Sequence, residues 1–452
     1  MKAINPATGE LIKDYSEHSD AEVAQIVEQA DAEFRRWRET SFEHRARLMH
    51  AAAEEQRKNK QKYAEIITQE MGKTITESLA EVDKCAWVCD YYADSAAKFL
   101  ADEIVETDAS RSFVAFEPLG VVLAVMPWNF PFWQVMRFAA PALMAGNAGV
   151  LKHASNVPAS ALALEEIFHK AGFPEHIFRT LMIGSRQVEK VIRNPLVKAV
   201  TLTGSEPAGM QVASIAGSEL KKTVLELGGS DPYIVLEDAD LSACVATSAT
   251  ARMINQGQSC IAAKRFIVVE SLVKEFEKQQ TAIMQAMKMG DPMQHDTKVG
   301  PMARTDLLEE LDDQVQRSVN AGARLLCGGK KADGPGAFYL PTVLSDVKKG
   351  MAVYEEETFG PVSAIIPVQD AEEAIAVAND SRFGLGGAVW SRDLKKAEAV
   401  ARRIETGAMF VNGMTKSDPR LPFGGVKKSG YGRELSHYGI KEFVNIKAIW
   451  IK

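Results

Sequence analysis

Thr223-Val224-Leu225-Glu226-Leu227-Gly228-Gly229 closes one series of strands and opens another, and its reading sets the fold. It is a short β-branched run ended by a glycine pair, the form of a buried strand running into a turn. Upstream, similar runs at 121–125, 149–152 and 199–202 alternate with amphipathic segments at 159–170, 186–193 and 208–218. Downstream, runs at 233–236, 266–269, 364–368, 388–390 and 409–411 are spaced by helical segments near 240–255, 272–288, 306–321, 371–379 and 393–405. Strands alternating with helices make βαβ units and mostly parallel sheets. The expected class is therefore α/β. Two α/β layers meet near 228, and the crevice between them is the expected ligand site.

Ahead of the first strand the chain reads as helical. Val23, Ile26, Val27, Ala30, Phe34 and Trp37 recur at helical spacing behind Ser19 or Asp20 as cap. Two long, charge-rich helices follow near 43–70 and 74–99. The tail, 443–450, alternates apolar and polar residues and reads as an edge strand able to pair with another subunit. Over 452 residues, 46% hydrophobic and 25% charged composition excludes disordered, collagenous and disulfide-scaffold classes. A net charge of −7 argues against a nucleic-acid partner. The segment 118–151 has Arg137 as its one charge, but Pro127, Asn129 and Pro131 interrupt it. It reads as a strand, a tight turn and a buried helix, with no membrane partner expected. Five scattered cysteines lack zinc-ligand spacing, so no metal is expected. No apolar leader precedes Asn5-Pro6-Ala7-Thr8-Gly9, and a reducing, cytoplasmic location is expected.

The common chemical motifs fail. Gly72-Lys73-Thr74 lacks the upstream glycine of a P-loop, where Ile67 stands, and no Gly-x-Gly-x-x-Gly follows a strand. What remains is polar residues set where a core should be apolar. Cys260 ends Asn255-Gln256-Gly257-Gln258-Ser259-Cys260, on a turn before the strand at 266. Lys264, Arg265 and a helix N-terminus nearby are expected to lower its pKa. Glu226 interrupts an apolar strand end, where it either faces the surface or serves a site. Asn129, between Trp128 and Phe130, must be hydrogen-bonded or aimed at a ligand. A nucleophile, a carboxylate base and an amide donor are the minimum for acyl chemistry through a covalent intermediate.

Pro127-Trp128-Asn129-Phe130-Pro131, Leu225-Glu226-Leu227-Gly228-Gly229, Gly257-Gln258-Ser259-Cys260, Glu357-Thr358-Phe359-Gly360-Pro361 and Pro422-Phe423-Gly424-Gly425 occur in that order. With them the chain resembles the aldehyde dehydrogenase superfamily over nearly its whole length. The resemblance implies a Rossmann-like cofactor domain (1–109 and 129–227), a catalytic domain (228–429) and a small β oligomerisation arm (110–128 and 430–452), assembled as a homodimer or homotetramer. It implies Cys260 as nucleophile, with its backbone N–H and the Asn129 amide stabilising the oxyanion and Glu226 activating water. It also places Lys152 on the adenosine ribose, Gly204-Ser205 on the pyrophosphate, Glu357 on the nicotinamide ribose, and Phe359 and Trp128 beside the nicotinamide.

Where NAD-preferring members often carry a glutamate, this chain has Ser155, which does not repel a 2′-phosphate. NADP is therefore the expected cofactor, with NAD also usable. Trp133 and Arg137 share a helix face behind Pro131, and an aromatic wall beside a cation suits a short aldehyde ending in a carboxylate. Enzymes of the succinate-semialdehyde type carry that arginine and a serine where Ser417 stands; some add a second arginine near Asn255, which this chain lacks. The expected reaction is oxidation of succinate semialdehyde to succinate, or of a related aldehyde such as glutarate semialdehyde.

Overall fold

The computed structural model describes residues 1–452 and contains two mostly parallel sheets. The first has six strands in the order Gly430–Tyr431, Lys222–Glu226, Val197–Thr203, Val121–Met126, Ala148–His153 and Phe178–Thr180, with only Gly430–Tyr431 antiparallel. From Val121–Met126 the chain fills one side of the sheet, then returns to lay Val197–Thr203 on the other. The order reverses between these two strands, and such a reversal opens a crevice at their carboxyl ends.

The second sheet has seven strands in the order Arg324–Cys327, Thr342–Ser345, Val362–Val368, Ala263–Val269, Asp231–Val235, Ala388–Trp390 and Phe410–Val411. Only the Arg324–Cys327 pairing is antiparallel. Gly228 and Phe359, ahead of two of its central strands, line the crevice, and Cys260, ahead of a third, lies beside Glu226 at a strand end of the first sheet. Residues at strand ends, free of the ladders, therefore converge from both sides.

Local chemistry explains most boundaries. Ser19 caps Asp20–Trp37 in a reciprocal box: its hydroxyl accepts from the Glu22 N–H (3.3 Å), and Glu22 accepts from the Ser19 N–H (2.7 Å). The helix expected over 43–70 is two, Phe42–Lys58 and Lys60–Met71, because Asn59 leaves the helical conformation and its Nδ2 donates back to Glu55 Oε1 (2.8 Å). Arg324–Cys327 and Thr342–Ser345 carry no clear sequence signal, being four residues each around a glycine-rich stretch.

The small third sheet corrects the expected arm. It pairs Val444–Ile451 with Arg111–Pro118 and Glu103–Ile104. Val121–Met126, which the arm boundary at 128 included, lies inside the six-stranded sheet, and Gly430–Tyr431 is an edge of that sheet. The outer edge of Val444–Ile451 has no partner in the chain and exposes Ile446 (60%) and Trp450 (53%). No helix is long and apolar enough to cross a membrane.

Ile75–Phe99 braces the crevice from below. Glu81 Oε1 accepts the N–H groups of Phe132 (2.9 Å) and Trp133 (3.0 Å), capping the helix Trp133–Met144. Its other oxygen pairs with the fully buried Lys73, whose ammonium lies 3.7 Å from the centre of the Phe130 ring. Removing only the carboxylate of such a pair leaves an uncompensated buried charge, at a cost of about 3–5 kcal/mol. Glu81→Ala is expected to lose that much unfolding free energy in urea denaturation. The double replacement Lys73→Met/Glu81→Gln should lose clearly less; equal losses would show that the stranded ammonium is not the cause.

Candidate active site

Asn129 follows the strand Val121–Met126, Glu226 ends Lys222–Glu226, and Cys260 sits on the turn before Ala263–Val269. The fold brings the three together. Cys260 Sγ lies 3.8 Å from Glu226 Oε2. Asn129 is tied to the cysteine loop: its Nδ2 donates to the Gln258 carbonyl (3.1 Å), and its own carbonyl accepts from Asn255 Nδ2 (2.7 Å). Gln134 Nε2 donates to Asn129 Oδ1 (3.1 Å), which fixes the amide with Nδ2 as donor and leaves one of its hydrogens free. The backbone N–H of Cys260 has no acceptor in the chain.

The loop that presents the sulfur is held under strain. Asn255, Gln256 and Gly257 are consecutive left-handed residues (φ 52°, 53° and 78°), a conformation costing about 1–3 kcal/mol for each non-glycine residue. Gly257 admits no side chain, since a Cβ there would lie 2.2 Å from the Gly360 carbonyl. The loop persists because cations and carboxylates grip its backbone. Glu77 accepts from the Asn255 N–H (2.8 Å). Arg252, fully buried and lowered to about 9 by burial, donates to the carbonyls of Gly257 (2.7 Å) and Gly360 (2.6 Å). Lys264 donates to the carbonyls of Gly229, Ser259 and Cys260 and to Glu357 Oε1 (2.8 Å).

These bonds correct the expectation of a low thiol pKa. Lys264 and Arg265 are engaged with backbone carbonyls and Glu357. Burial and then the Glu226 carboxylate push the Cys260 thiol well above its ordinary range, against opposing contributions from Lys264 and Arg137. The thiol's neighbour is a suitable base: burial raises Glu226 to about 7, with Glu434 adding and Arg137 opposing.

Arg137, expected as the substrate's carboxylate clamp, lies beside the carboxyl groups of Glu226 and Glu434. It is 2% exposed and stacked 4.7 Å over the Phe423 ring; its Nη2 forms an ion pair with Glu434 Oε2 (2.6 Å) and donates to Thr203 Oγ1 (3.2 Å) and Glu226 Oε2 (3.4 Å), while its Nε has no acceptor in the chain. Trp133 and Ser417 do come together, joined by Lys84. Its ammonium sits 4.1 Å from the centre of the Trp133 ring and donates to Ser417 Oγ (2.7 Å).

The crevice is about 510 Å³, with Trp128, Asn129, Gly204, Ser205, Glu357 and Phe359 among its walls. The donor set fits a dinucleotide. The helix Glu206–Ser218 starts at the crevice with no side-chain cap on its N-terminal amides, as a diphosphate requires. Lys152, 9% exposed at the end of Ala148–His153, is lowered by burial alone, with no charge partner, and so offers a free donor. Trp128 and Phe359 stand edge to face at 5.8 Å. Gly228 leaves room for Glu357, whose Oε2 would lie 2.3 Å from a Cβ there. Ser155 is exposed on the turn after Lys152.

Glu434, Gln134, Lys84 and Arg252 escaped the sequence reading. Only Lys84 has a legible signal, since Glu77, Glu81 and Lys84 fall at i, i+4 and i+7 on one helix face. The other four cysteines are buried, so alkylation reads Cys260 selectively. Iodoacetamide should label it slowly at pH 7, with a rate that keeps climbing beyond the ordinary thiol range near about 8.5. A rate already at its plateau at pH 7 would mean a preformed thiolate.

The chain is 53% identical over 451 residues to a protein of Synechocystis sp. named probable succinate-semialdehyde dehydrogenase [NADP(+)], covering 100% of this chain and 99% of that one. It is 51% identical over 454 residues, with the same coverage, to succinate-semialdehyde dehydrogenase [NADP(+)] 1 of Mycobacterium tuberculosis. The crystal structure of succinic semialdehyde dehydrogenase from Streptococcus pyogenes with NADP+ superposes with a TM-score of 0.98 at 42% identity, over 100% of this chain and 99% of that one. The aldehyde dehydrogenase family model matches residues 1–449, and the chain belongs to that family.

Proposed function

We propose that this protein oxidises succinate semialdehyde to succinate with NADP+, through a covalent bond to Cys260. The observation that carries the reading is the convergence of a thiol, a carboxylate at 3.8 Å and an amide donor beside a crevice suited to a dinucleotide. The relatives above bear the same substrate and cofactor in their names. Ser155 is compatible with a 2′-phosphate, since it brings no negative charge to the turn after Lys152.

Cys260 gives its proton to Glu226 as Sγ bonds to the aldehyde carbon. The oxygen becomes an anion that accepts from the free Asn129 Nδ2 hydrogen and the Cys260 N–H. A nicotinamide cofactor held by Lys152, Ser205 and Glu357 would supply the hydride acceptor by which this adduct is oxidised to a thioester. Glu226, once its proton has passed to solvent, takes a proton from water as the water oxygen attacks the thioester carbonyl. The carbon–sulfur bond then breaks, and Cys260 leaves with its electron pair. Raised to about 7, Glu226 is matched to both proton transfers near neutrality.

The open edge of Val444–Ile451, with Ile446 and Trp450 exposed, supports assembly into a homodimer or homotetramer through the arm. Five free cysteines are consistent with a reducing, cytoplasmic setting.

NADPH formation measured at 340 nm with an aldehyde panel tests the reading. Succinate semialdehyde should be preferred over butanal and NADP+ over NAD+, with Ser155→Glu moving the cofactor ratio toward NAD+. Asn129→Ala should lower kcat by about 10²–10³, and Cys260→Ala should abolish turnover. Turnover in Cys260→Ala, or butanal equal to succinate semialdehyde, would contradict it. The rate should fall as pH drops through about 7, because protonated Glu226 is no longer a base. A flat profile from pH 8 to 6 would remove Glu226 from that role.

A further inference from the structure

Every residue of the strand Ala263–Val269 is buried, Lys264 and Arg265 included. Arg265 turns its guanidinium to the carbonyls of Ser230, Val377 and Ala378, away from the site. Lys264 differs. Pro232 has no N–H to give the ladder, and the register shifts beside it: Asp231 lies opposite Ala263 and Pro232 opposite Arg265. Lys264 is left without a partner across the ladder, and its side chain, 1% exposed, reaches back to the turn that carries the nucleophile.

There the ammonium donates to the carbonyls of Gly229 (2.6 Å), Cys260 (2.8 Å) and Ser259 (2.9 Å) and to Glu357 Oε1 (2.8 Å). Three hydrogens are shared among four acceptors, and the Glu357 carboxylate balances the buried charge. Two of the acceptors are the carbonyls on either side of the Cys260 Cα, so one cation fixes both peptide planes at the nucleophile.

A peptide unit is planar and, with no cis bond in the chain, its C=O and N–H point to opposite sides. Drawing the Ser259 carbonyl onto Lys264 therefore turns the Cys260 N–H away from the ammonium, and that N–H has no acceptor in the chain. The Ala262 N–H also reaches the Ser259 carbonyl, but at a longer 3.2 Å. Asn129 Nδ2, the other donor expected at the oxyanion, lies 3.1 Å from the Gln258 carbonyl, one residue earlier. A cation on the carbonyl oxygen also makes the N–H of the same unit a better donor, because linked hydrogen bonds polarise one another. We propose that Lys264 is a positioning residue for the oxyanion: through the Ser259 and Cys260 carbonyls it aims the Cys260 N–H at the oxygen that becomes an anion when Sγ bonds to the carbonyl carbon. This role rests on the oxyanion site proposed above, and the test separates the two.

Two reactions of the same sulfur, neither needing the cofactor, isolate it. With p-nitrophenyl acetate the thiolate adds to the ester carbonyl, an electron pair moves to the oxygen, and collapse expels p-nitrophenolate, leaving acetyl on Sγ. With iodoacetamide the thiolate displaces iodide from a saturated carbon, and no oxyanion forms. Both begin from the thiolate, so the ratio of acylation rate to alkylation rate does not depend on how much thiolate is present. Burst release of p-nitrophenolate and mass spectrometry of the Cys260 peptide give the two rates in the wild type, Asn129→Ala and Lys264→Met. Lys264→Met should lower the ratio by roughly 10-fold or more, toward the about 10²–10³ lost with a whole oxyanion donor. A loop merely loosened would change both rates together and leave the ratio where it was. A ratio lowered in Asn129→Ala but unchanged in Lys264→Met overturns the role of Lys264 and leaves the oxyanion site standing. A ratio unchanged in both variants overturns the site as well. Should Lys264→Met fail to fold, Lys264→Gln is read in the same way: a lowered ratio supports the role and an unchanged one overturns it.

Discussion

One buried guanidinium is shared by two carboxyl groups, and the site depends on how Arg137 divides itself between Glu226 and Glu434. Arg137 holds Glu226 in place beside Cys260, while Glu434 and the absence of water keep Glu226 from being a strong acid. The result is a carboxyl group able both to take the thiol's proton and later to deprotonate water.

Around this group, the precision of the site comes from backbone atoms gripped by buried charges. Ile75–Phe99 sends Glu81 to the start of the helix behind Asn129 and Glu77 to the start of the cysteine loop, so one rigid element sets the amide and the sulfur relative to each other. Arg252 and Lys264 do the same from the second sheet, joining the cysteine loop to the Glu357-Thr358-Phe359-Gly360 segment. Three successive left-handed residues at 255–257 are tolerated only because these bonds over-determine the loop.

Strand and helix periodicity made the α/β class and the meeting of two layers near 228 readable, because both sheets are buried and their strands are continuous apolar runs. Cys260, Glu226 and Asn129 stood out as polar residues set in such runs, and the fold brings all three together. The low pKa expected of the Cys260 thiol took the availability of Lys264 and Arg265 from their neighbours in sequence, whereas carbonyls that occupy them come from distant segments. The arm boundary failed similarly: Val121–Met126 follows Arg111–Pro118 almost directly, yet belongs to another sheet.

The central claim is a thioester on one particular sulfur, resolved by one particular carboxylate, and it is tested most directly by trapping. Glu226→Gln incubated with succinate semialdehyde and NADP+, quenched in acid and digested, should show the mass of one succinyl group on the peptide that carries Cys260, together with a single burst of NADPH. A burst without that adduct, or an adduct on Cys85, Cys89, Cys244 or Cys327, would contradict the account.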